Sequence, residues 1–568
     1  MVVVTNVRRS SIIYSLLILY SAAFILRLPG LDWGWVDPDE HPSFAAKVLT
    51  GELTSSEQYY PPLLNYLIAL AYAFYYAIGR VVGWWASTAE FRAAYFEDQT
   101  QFYVLGRIVV AALSSAAAPL TFLLALEQGI RRRVALMLSA IMALMPASIF
   151  WAHIAKSDSA LGPAFLLVFL TAFRLHEEPN RVARQIALAS AIAIALSFKQ
   201  SAVFLLTPAL LILFIATMFS RNPNPVVIRA WVSIALATVL VWIPLNVGIL
   251  LNIGGFIDAQ VVLSQMSLRN SSLGESAAAW FAVITSEDAG VPLLVLLIWV
   301  CIPIICLFAL RKARLRFRLL TMWASAMIAM VMIVGIAGSR QTSQLLLPYS
   351  IAIASTVLLV AGHFIEKSPR ELRISGGVIL VVMAVLFSVE SAFIVQQAKA
   401  QPVARDVAAA VARFAPPGTR LVSNVGLTQY LPVSSIGGAE MRARYERLAA
   451  RYSVVLPPVA EESLHVVERG YIIRNYPFVI GGLENVAPED IKIVLPFAWP
   501  LQPEEWQLEY WLARDYRMFV FQESMLHHPV AAYRNFFLSI DRKCPKLITI
   551  PTKRLMFFED TVVIYRCT

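Results

Sequence analysis

Three carboxylates, Asp37, Asp39 and Glu40, fall within four positions where the first apolar run of the chain ends. One arrangement explains two of them. Asp37 suits a helix N-cap, Pro38 the first helical position, and Glu40 the third, where a capping-box acid sits. Acid in the first turn also complements the helix dipole. Asp39 is left over by that cap. A carboxylate at the boundary of lipid and water can take a proton from an attacking hydroxyl. The pair Asp39 and Glu40 is equally the set that would hold a divalent ion.

Bases gather in three further loops. "WAHIAKSDSALGP" brings His153, Lys156 and Asp158 together; "SFKQS" carries Lys199 and Gln200; "GSRQTSQLLLPY" carries Arg340. Taken singly, each is explained as an interfacial polar residue, and Ser157 with Asp158 also reads as the cap of the following helix. Taken together, three loops on one side each keep a lone base at the membrane edge. Three bases beside two or three acids make a site for an anion at the lipid boundary, and a lipid-linked phosphate is the obvious candidate. Lys156, Lys199 and Arg340 would hold the phosphate of a polyprenyl-phosphate sugar. A carboxylate would deprotonate an acceptor hydroxyl as it attacks the anomeric carbon, with inversion, while the bases stabilise the leaving phosphate. This chemistry requires no metal or other cofactor, although a divalent ion on Asp39 and Glu40 is compatible with it.

These loops need a membrane scaffold, and the composition supplies one. The 568 residues are 58% hydrophobic and 15% charged, against about 25% charged in soluble domains, and the mean hydropathy is +0.65. Soluble enzyme classes drop out. The net charge of +10 does not imply a nucleic-acid partner, because the basic residues sit in short loops between apolar runs and do not form a soluble face. With roughly 20 apolar residues per span, candidate spans are 11–30, 102–126, 134–151, 160–175, 184–198, 201–219, 227–250, 291–310, 319–338, 344–364 and 374–395. The short fourth and fifth are expected to extend into their polar flanks. The first run, Ile12 to Leu28, is long enough to span and lacks a small-residue cleavage site, so it reads as a retained helix.

Arginine and lysine alternate from loop to loop. One set of loops carries Arg8 and Arg9, Arg131 to Arg133, Arg181 and Arg184, Arg221 and Arg229, the run from Arg311 to Arg318, and Lys367, Arg370 and Arg373. By the positive-inside rule this set and the N-terminus are cytoplasmic. The acids and lone bases then lie outside, at the outer face of the cytoplasmic membrane. In the first outer loop, 31–101, residues 38–49 are read as a short helix stopped by Gly51. The aromatic run 62–82, entered through Pro61 and Pro62, is read as an interfacial helix; the alternative is a further span, which would shift the count by one and spoil the charge alternation.

From 397 onward the composition changes. "ARDVAAAVARF" is an amphipathic helix ended by "APPG". "TRLVSNV", "RYSVVLP", "GYIIRN", "DIKIVLPF", "RMFVFQES" and "DTVVIYRC" alternate as strands do. Residues 1–396 are thus expected to be a transmembrane catalytic domain and 397–568 an extracytoplasmic α/β domain. Of the four cysteines, Cys301 and Cys306 read as packing residues. Cys544 and Cys567 can pair if the domain faces an oxidising compartment.

The ordered segments "YPPLLNYLIALAYAFYYAIG", "LGRIVVAALSSAAAPLTFLLAL", "AHIAKSDSALGPAFLLVFLTAFRL" and "ALSFKQSAVFLLTPALL", behind a span and a "DE" loop, resemble the polyprenyl-phosphate-sugar-dependent glycosyltransferases of the GT-C class. The resemblance covers roughly residues 10–350. It is strongest to the branch of protein O-mannosyltransferases and lipid A aminoarabinose transferases. It implies a GT-C fold of about 11 spans and a catalytic base at Asp39, with Glu40 beside it. It implies a second acid at Asp158 and phosphate contacts from Lys199 and Arg340. Arg107, His153, Tyr59, Tyr60 and Gln200 are expected to line the substrate pocket. The chain departs from the aminoarabinose transferases in two places. Tyr59 and Tyr60 stand where a lysine precedes the "PP" segment, and His41-Pro42-Ser43 replaces an arginine after the "DE" pair; Lys156 would supply the missing charge. The expected partners are the lipid-linked sugar, a hydroxyl acceptor on protein, lipid or glycan, and membrane lipid. The rival classes are a transporter or flippase of lipid-linked sugars and a non-catalytic scaffold of the same fold. Transporters place their polar groups at the bilayer midplane, whereas these collect at one rim.

Overall fold

The computed structural model describes residues 6–32, 40–53, 60–97, 99–219, 224–267, 313–337, 342–367, 370–423, 427–428, 430–451, 470–475, 503–528, 531–551 and 561–568. Asp37, Asp39, Tyr59, Arg340 and the span expected at 291–310 lie outside them.

The N-terminal two thirds is helical. Its helices are α1 (Asn6–Ile25), α2 (Pro42–Leu49), α3 (Leu63–Val82), α4 (Thr88–Glu97), α5 (Thr100–Ser115), α6 (Ala117–Glu127) and α7 (Arg132–Ala143). They continue as α8 (Pro146–Trp151), α9 (Asp158–Glu177), α10 (Val182–Phe198), α11 (Val203–Met218), α12 (Asn224–Leu245), α13 (Val247–Leu251) and α14 (Ile253–Ser267). After the undescribed stretch come α15 (Ala313–Ala337), α16 (Thr342–Lys367) and α17 (Arg370–Ala398).

Among the described residues seven helical stretches are long and apolar enough to cross a membrane, and Ser10–Ile25 and Val182–Phe198 are shorter apolar helices. The bundle is inside-out by the standards of a soluble protein. Leu236, Leu240, Val381, Val385 and Val389 are exposed on α12 and α17, as lipid-facing side chains are. Helices α9 and α16 lie inside, and a Cβ on Gly162 would come within 2.4 Å of Ile351, so glycine there sets their close approach.

Four expectations change in detail. Residues 134–151 are two helices, α7 and α8, broken ahead of Pro146, whose ring cannot continue the α7 ladder. Span 227–250 ends at Leu245, beside Pro244, and short α13 follows. A helix, α14, occupies residues read as loop. The short helix in the loop after the first span starts at Pro42, not Pro38, and has no acid in its first turn. The Asp37–Glu40 capping box therefore does not form on it.

The C-terminal region is a mixed five-stranded sheet. Its strands are β1 (Arg420–Ser423), β2 (Ile472–Asn475), β3 (Met518–Gln522), β4 (Lys546–Ile550) and β5 (Val562–Arg566), in the order β2-β1-β3-β5-β4. β1 is parallel to β2 and β3; β5 is antiparallel to β3 and β4. Side chains alternate between two cores: Met518, Val520, Val562 and Ile564 face one, with Val403, Val407 and Val411 of α18 (Val403–Phe414), while Phe519, Phe521, Val563 and Tyr565 face the other. Both faces are covered, so β3 is buried throughout. α19 (Ser435–Arg451), α20 (Leu508–Leu512) and α21 (Ala531–Lys543) complete the fold. Four expected strands appear; "KLITI" adds β4, and "DIKIVLPF" and all but the first residue of "RYSVVLP" lie outside the described residues. Cys544 and Cys567 form a disulfide that ties the end of α21 to the end of β5.

Candidate active site

The site is built where α9 begins and α10 ends. Asp158 is the first residue of α9, behind Ser157 at the N-cap position, whose side chain makes no capping bond. Lys199 follows α10 in extended conformation, which turns its side chain out of the helical path. The two meet: Lys199 Nζ donates to Asp158 Oδ1 at 2.7 Å and Oδ2 at 2.9 Å. Both residues are buried. Breaking one side of such a pair leaves a desolvated charge, a cost of about 3–5 kcal/mol. The Lys199 ammonium also lies 5.0 Å from the centre of the Tyr60 ring, a cation–π contact. Lys156 is buried in the loop ahead of Asp158.

Next to this pair stands a histidine. The His41 ring is 5.7 Å from that of Tyr60, and His41 Nδ1 is 2.5 Å from Asn65 Oδ1. An amide oxygen only accepts, so the partner assigns the proton to Nδ1 and leaves Nε2 with a bare lone pair. That atom is buried and has no hydrogen-bond partner among the described residues. Burial pushes the imidazole down to about 4, helped by the charges of Lys156 and Lys199 and opposed by Asn65 and Asp158. His41 is therefore a neutral hydrogen-bond acceptor within the electrostatic field of the expected phosphate contacts. Sequence reasoning passed over it as a mere replacement for arginine. Asn65, an amide inside the apolar face of α3, was the available signal.

A second ion pair lies behind the first. Arg107 on α5 donates from Nε to Glu40 Oε2 at 3.1 Å and from Nη2 to Oε1 at 2.8 Å, and its Nη1 reaches the Leu31 carbonyl at 2.7 Å. The Ala155 amide donates to Glu40 Oε2 at 2.8 Å, and the His41 amide donates to the Ala155 carbonyl at 3.0 Å. Gly106 permits this approach: a Cβ there would lie 2.9 Å from Pro42 and 3.4 Å from Ala155. Glu40 and Arg107, expected at the catalytic centre and in the donor pocket, thus form a clamp. It fixes the residue after Asp39 to the loop that carries Lys156.

His153 is a brace in the same sense. It is fully buried, with its ring nitrogens 2.8 Å from the carbonyls of Ile149 and Pro29. Burial pushes its pKa down to about 4 against the pull of those carbonyls. Gln200 bonds Gln260 of α14 at 3.1 Å, and Tyr349 of α16 donates to the Ser201 carbonyl at 2.9 Å. The helix that follows Arg340 is thereby fastened two residues beyond Lys199. Of the residues read from sequence, Tyr60, Asp158 and Lys199 come together, and Lys156 lies within electrostatic reach of their neighbour His41. No group of three His, Cys, Asp or Glu able to hold a metal ion occurs among the described residues.

Comparisons with known proteins bear on this arrangement. Residues 51–259 match the family described as dolichyl-phosphate-mannose-protein mannosyltransferase, a stretch that holds Arg107, Lys156, Asp158 and Lys199 but not the "DE" loop or Arg340. No curated protein sequence matches the chain significantly. The fold is that of ArnT from Cupriavidus metallidurans in the apo state, with TM-score 0.50 and 13% identity over 99% of this chain and 98% of that one. ArnT from the same organism bound to undecaprenyl phosphate aligns with TM-score 0.47 and 13% identity over 99% and 98%. The S. cerevisiae Pmt1-Pmt2 complex bound to the sugar donor aligns with TM-score 0.34 and 18% identity over 46% of this chain and 37% of that one.

Proposed function

We propose that this enzyme moves one sugar from a polyprenyl-phosphate donor to an acceptor hydroxyl at the outer face of the membrane, with inversion and with Asp39 as base. The observation that carries this reading is the buried Asp158–Lys199 pair beside Tyr60 and the neutral His41, next to the Glu40–Arg107 clamp. Among the described residues a carboxylate and a ring face hold Lys199, and its ammonium, a point charge on a flexible stem, can swing to a phosphate.

In the reaction the acceptor oxygen attacks the anomeric carbon and its proton passes to Asp39. The bond from that carbon to the phosphate oxygen breaks, and polyprenyl phosphate departs with the electron pair. Lys199, Lys156 and Arg340 stabilise the charge that builds on the leaving phosphate. His41 Nε2 accepts a hydrogen bond from a hydroxyl of the sugar or the acceptor. The clamp holds the Asp39 segment against the Lys156 loop, so base and phosphate contacts keep a fixed separation. The step requires no metal, and a divalent ion on Asp39 and Glu40 is compatible with it. The Cys544–Cys567 disulfide supports placing the C-terminal domain outside the cytoplasm, in agreement with the charge alternation of the loops.

The test is Asp39→Asn. Loss of a general base predicts a fall in kcat of about 10²- to 10⁴-fold with normal expression, read from transfer of labelled sugar out of a polyprenyl-phosphate donor in proteoliposomes. Unchanged turnover removes Asp39 as base.

A further inference from the structure

The end of α10 decides where the Lys199 ammonium stands, and that end is loosely made. The Lys199 amide is 3.4 Å from the Ala195 carbonyl, longer than an ordinary N–H···O bond, and the backbone then turns extended. A side chain from another helix steadies the last turn. Ser197 is fully buried two residues ahead of Lys199. Its hydroxyl donates to the Ala193 carbonyl at 2.7 Å and accepts from Asn246 Nδ2 at 2.6 Å.

Asn246 sits in the break between α12 and α13, close to Pro244, with non-helical backbone. Its second amide hydrogen goes to the Trp242 carbonyl at 2.9 Å. A carbonyl only accepts, and the Ser197 hydrogen is committed to Ala193, so these partners fix which way the amide points. Asn246 Oδ1 is then buried with no hydrogen-bond partner among the described residues. An unmade buried acceptor costs about 1–3 kcal/mol. Packing alone would favour an apolar residue at this place; what the amide adds is the bond from its nitrogen to α10.

The same break also holds the element that carries the ring under Lys199. Two residues on, the Gly248 amide donates to Tyr66 Oη at 3.0 Å. A Cβ on Gly248 would come within 2.1 Å of the Leu53 carbonyl oxygen, so glycine permits the approach. Tyr66 lies in the first turn of α3, just after Tyr60, whose ring centre is 5.0 Å from the Lys199 ammonium. Residues 246 and 248 are thus bonded to α10 and α3, the elements next to the lysine and to the ring on which it rests. Displacing a reacting contact by about 1 Å can cost about 10²-fold.

We propose that Asn246 is a positioning residue, which through Ser197 sets the place of the Lys199 ammonium for the phosphate of a polyprenyl-phosphate lipid. The inference rests on the reading of Lys199 as a phosphate contact.

The experiment is native mass spectrometry of the full-length protein in detergent, titrated with undecaprenyl phosphate and with undecaprenol, which has the same tail and no phosphate. Asn246→Ala and Ser197→Ala should each weaken binding of undecaprenyl phosphate about three- to ten-fold and leave undecaprenol unchanged. Combined, the two should cost no more than either alone, because they break the same bond. In the Asp158→Asn, Lys199→Met background, which has no ammonium to place, Asn246→Ala should cost nothing further. Ser197→Ala removes one oxygen and keeps the helix, so it decides the matter if Asn246→Ala does not fold. Wild-type affinity in Ser197→Ala, equal loss for both lipids, or a further loss in the charge-free background would overturn the positioning role while leaving Lys199 as a phosphate contact. If the wild type does not bind undecaprenyl phosphate, or the charge-free background binds it as tightly, Lys199 is no phosphate contact and both readings fall.

Discussion

Two buried ion pairs lie side by side in the membrane domain, and they are built differently. In Glu40–Arg107 the planar guanidinium forks onto both carboxylate oxygens and also holds a carbonyl, while a backbone amide adds to the acid. In Asp158–Lys199 a single ammonium sits between two carboxylate oxygens and rests on a tyrosine ring. Arginine's rigid fork suits a permanent joint. Lysine's compact charge on a flexible stem suits a partner that changes. The difference teaches that two pairs alike in burial and opposite charge can be built for different tasks, and that the geometry of the contacts is what distinguishes them.

Breaking the joint should have the larger effect on stability. Glu40→Gln leaves Arg107 buried and uncompensated, and an expected loss of about 3–5 kcal/mol would appear as a lower Tm in detergent. A Tm equal to that of the wild type would mean that the clamp is not structural. The lysine pair is tested by its effect on turnover. Removing both charges, in the Asp158→Asn, Lys199→Met double variant, leaves no lone buried charge. It should spare Tm relative to either single variant yet cost about 10²- to 10³-fold in kcat. Near-normal turnover would make this pair a second joint and erase the contrast.

A smaller effect separates His41 from both pairs. Its pKa is lowered to about 4 in the folded protein, against about 6.5 unfolded. The unfolded chain then binds the proton first, so this contribution is complete above pH 6.5 and is lost as pH falls toward 4. It amounts to about 3 kcal/mol. Thermal unfolding at pH 7 and pH 4.5 should show this dependence in the wild type and a flatter one in His41→Gln. Equal slopes would place the proton elsewhere. The smallest expected effect is none: sugar transfer should survive EDTA. Loss of activity restored by a divalent ion would turn Asp39 into a metal ligand.

Much of the site was legible because polar residues are scarce in an apolar chain. Asp158, Lys199 and Tyr60 stood out, and they do converge. Glu40 and Arg107 stood out equally, yet the geometry turns them toward each other. His153 likewise turns its ring nitrogens toward two backbone carbonyls, one of which a neutral ring can bond. Nothing in spacing separates a carboxylate that faces a substrate from one that faces an arginine 67 positions away.

The sequence by itself determined the membrane class, the order of the helices and the α/β character of the C-terminal region. These follow from local hydrophobic period and from the twenty-residue scale that a bilayer imposes. Tertiary structure decided which charges pair and that Cys544 meets Cys567. Those outcomes depend on contacts between residues far apart in the chain, where burial makes each partnership strong and a shift of one helical turn would exchange it for another.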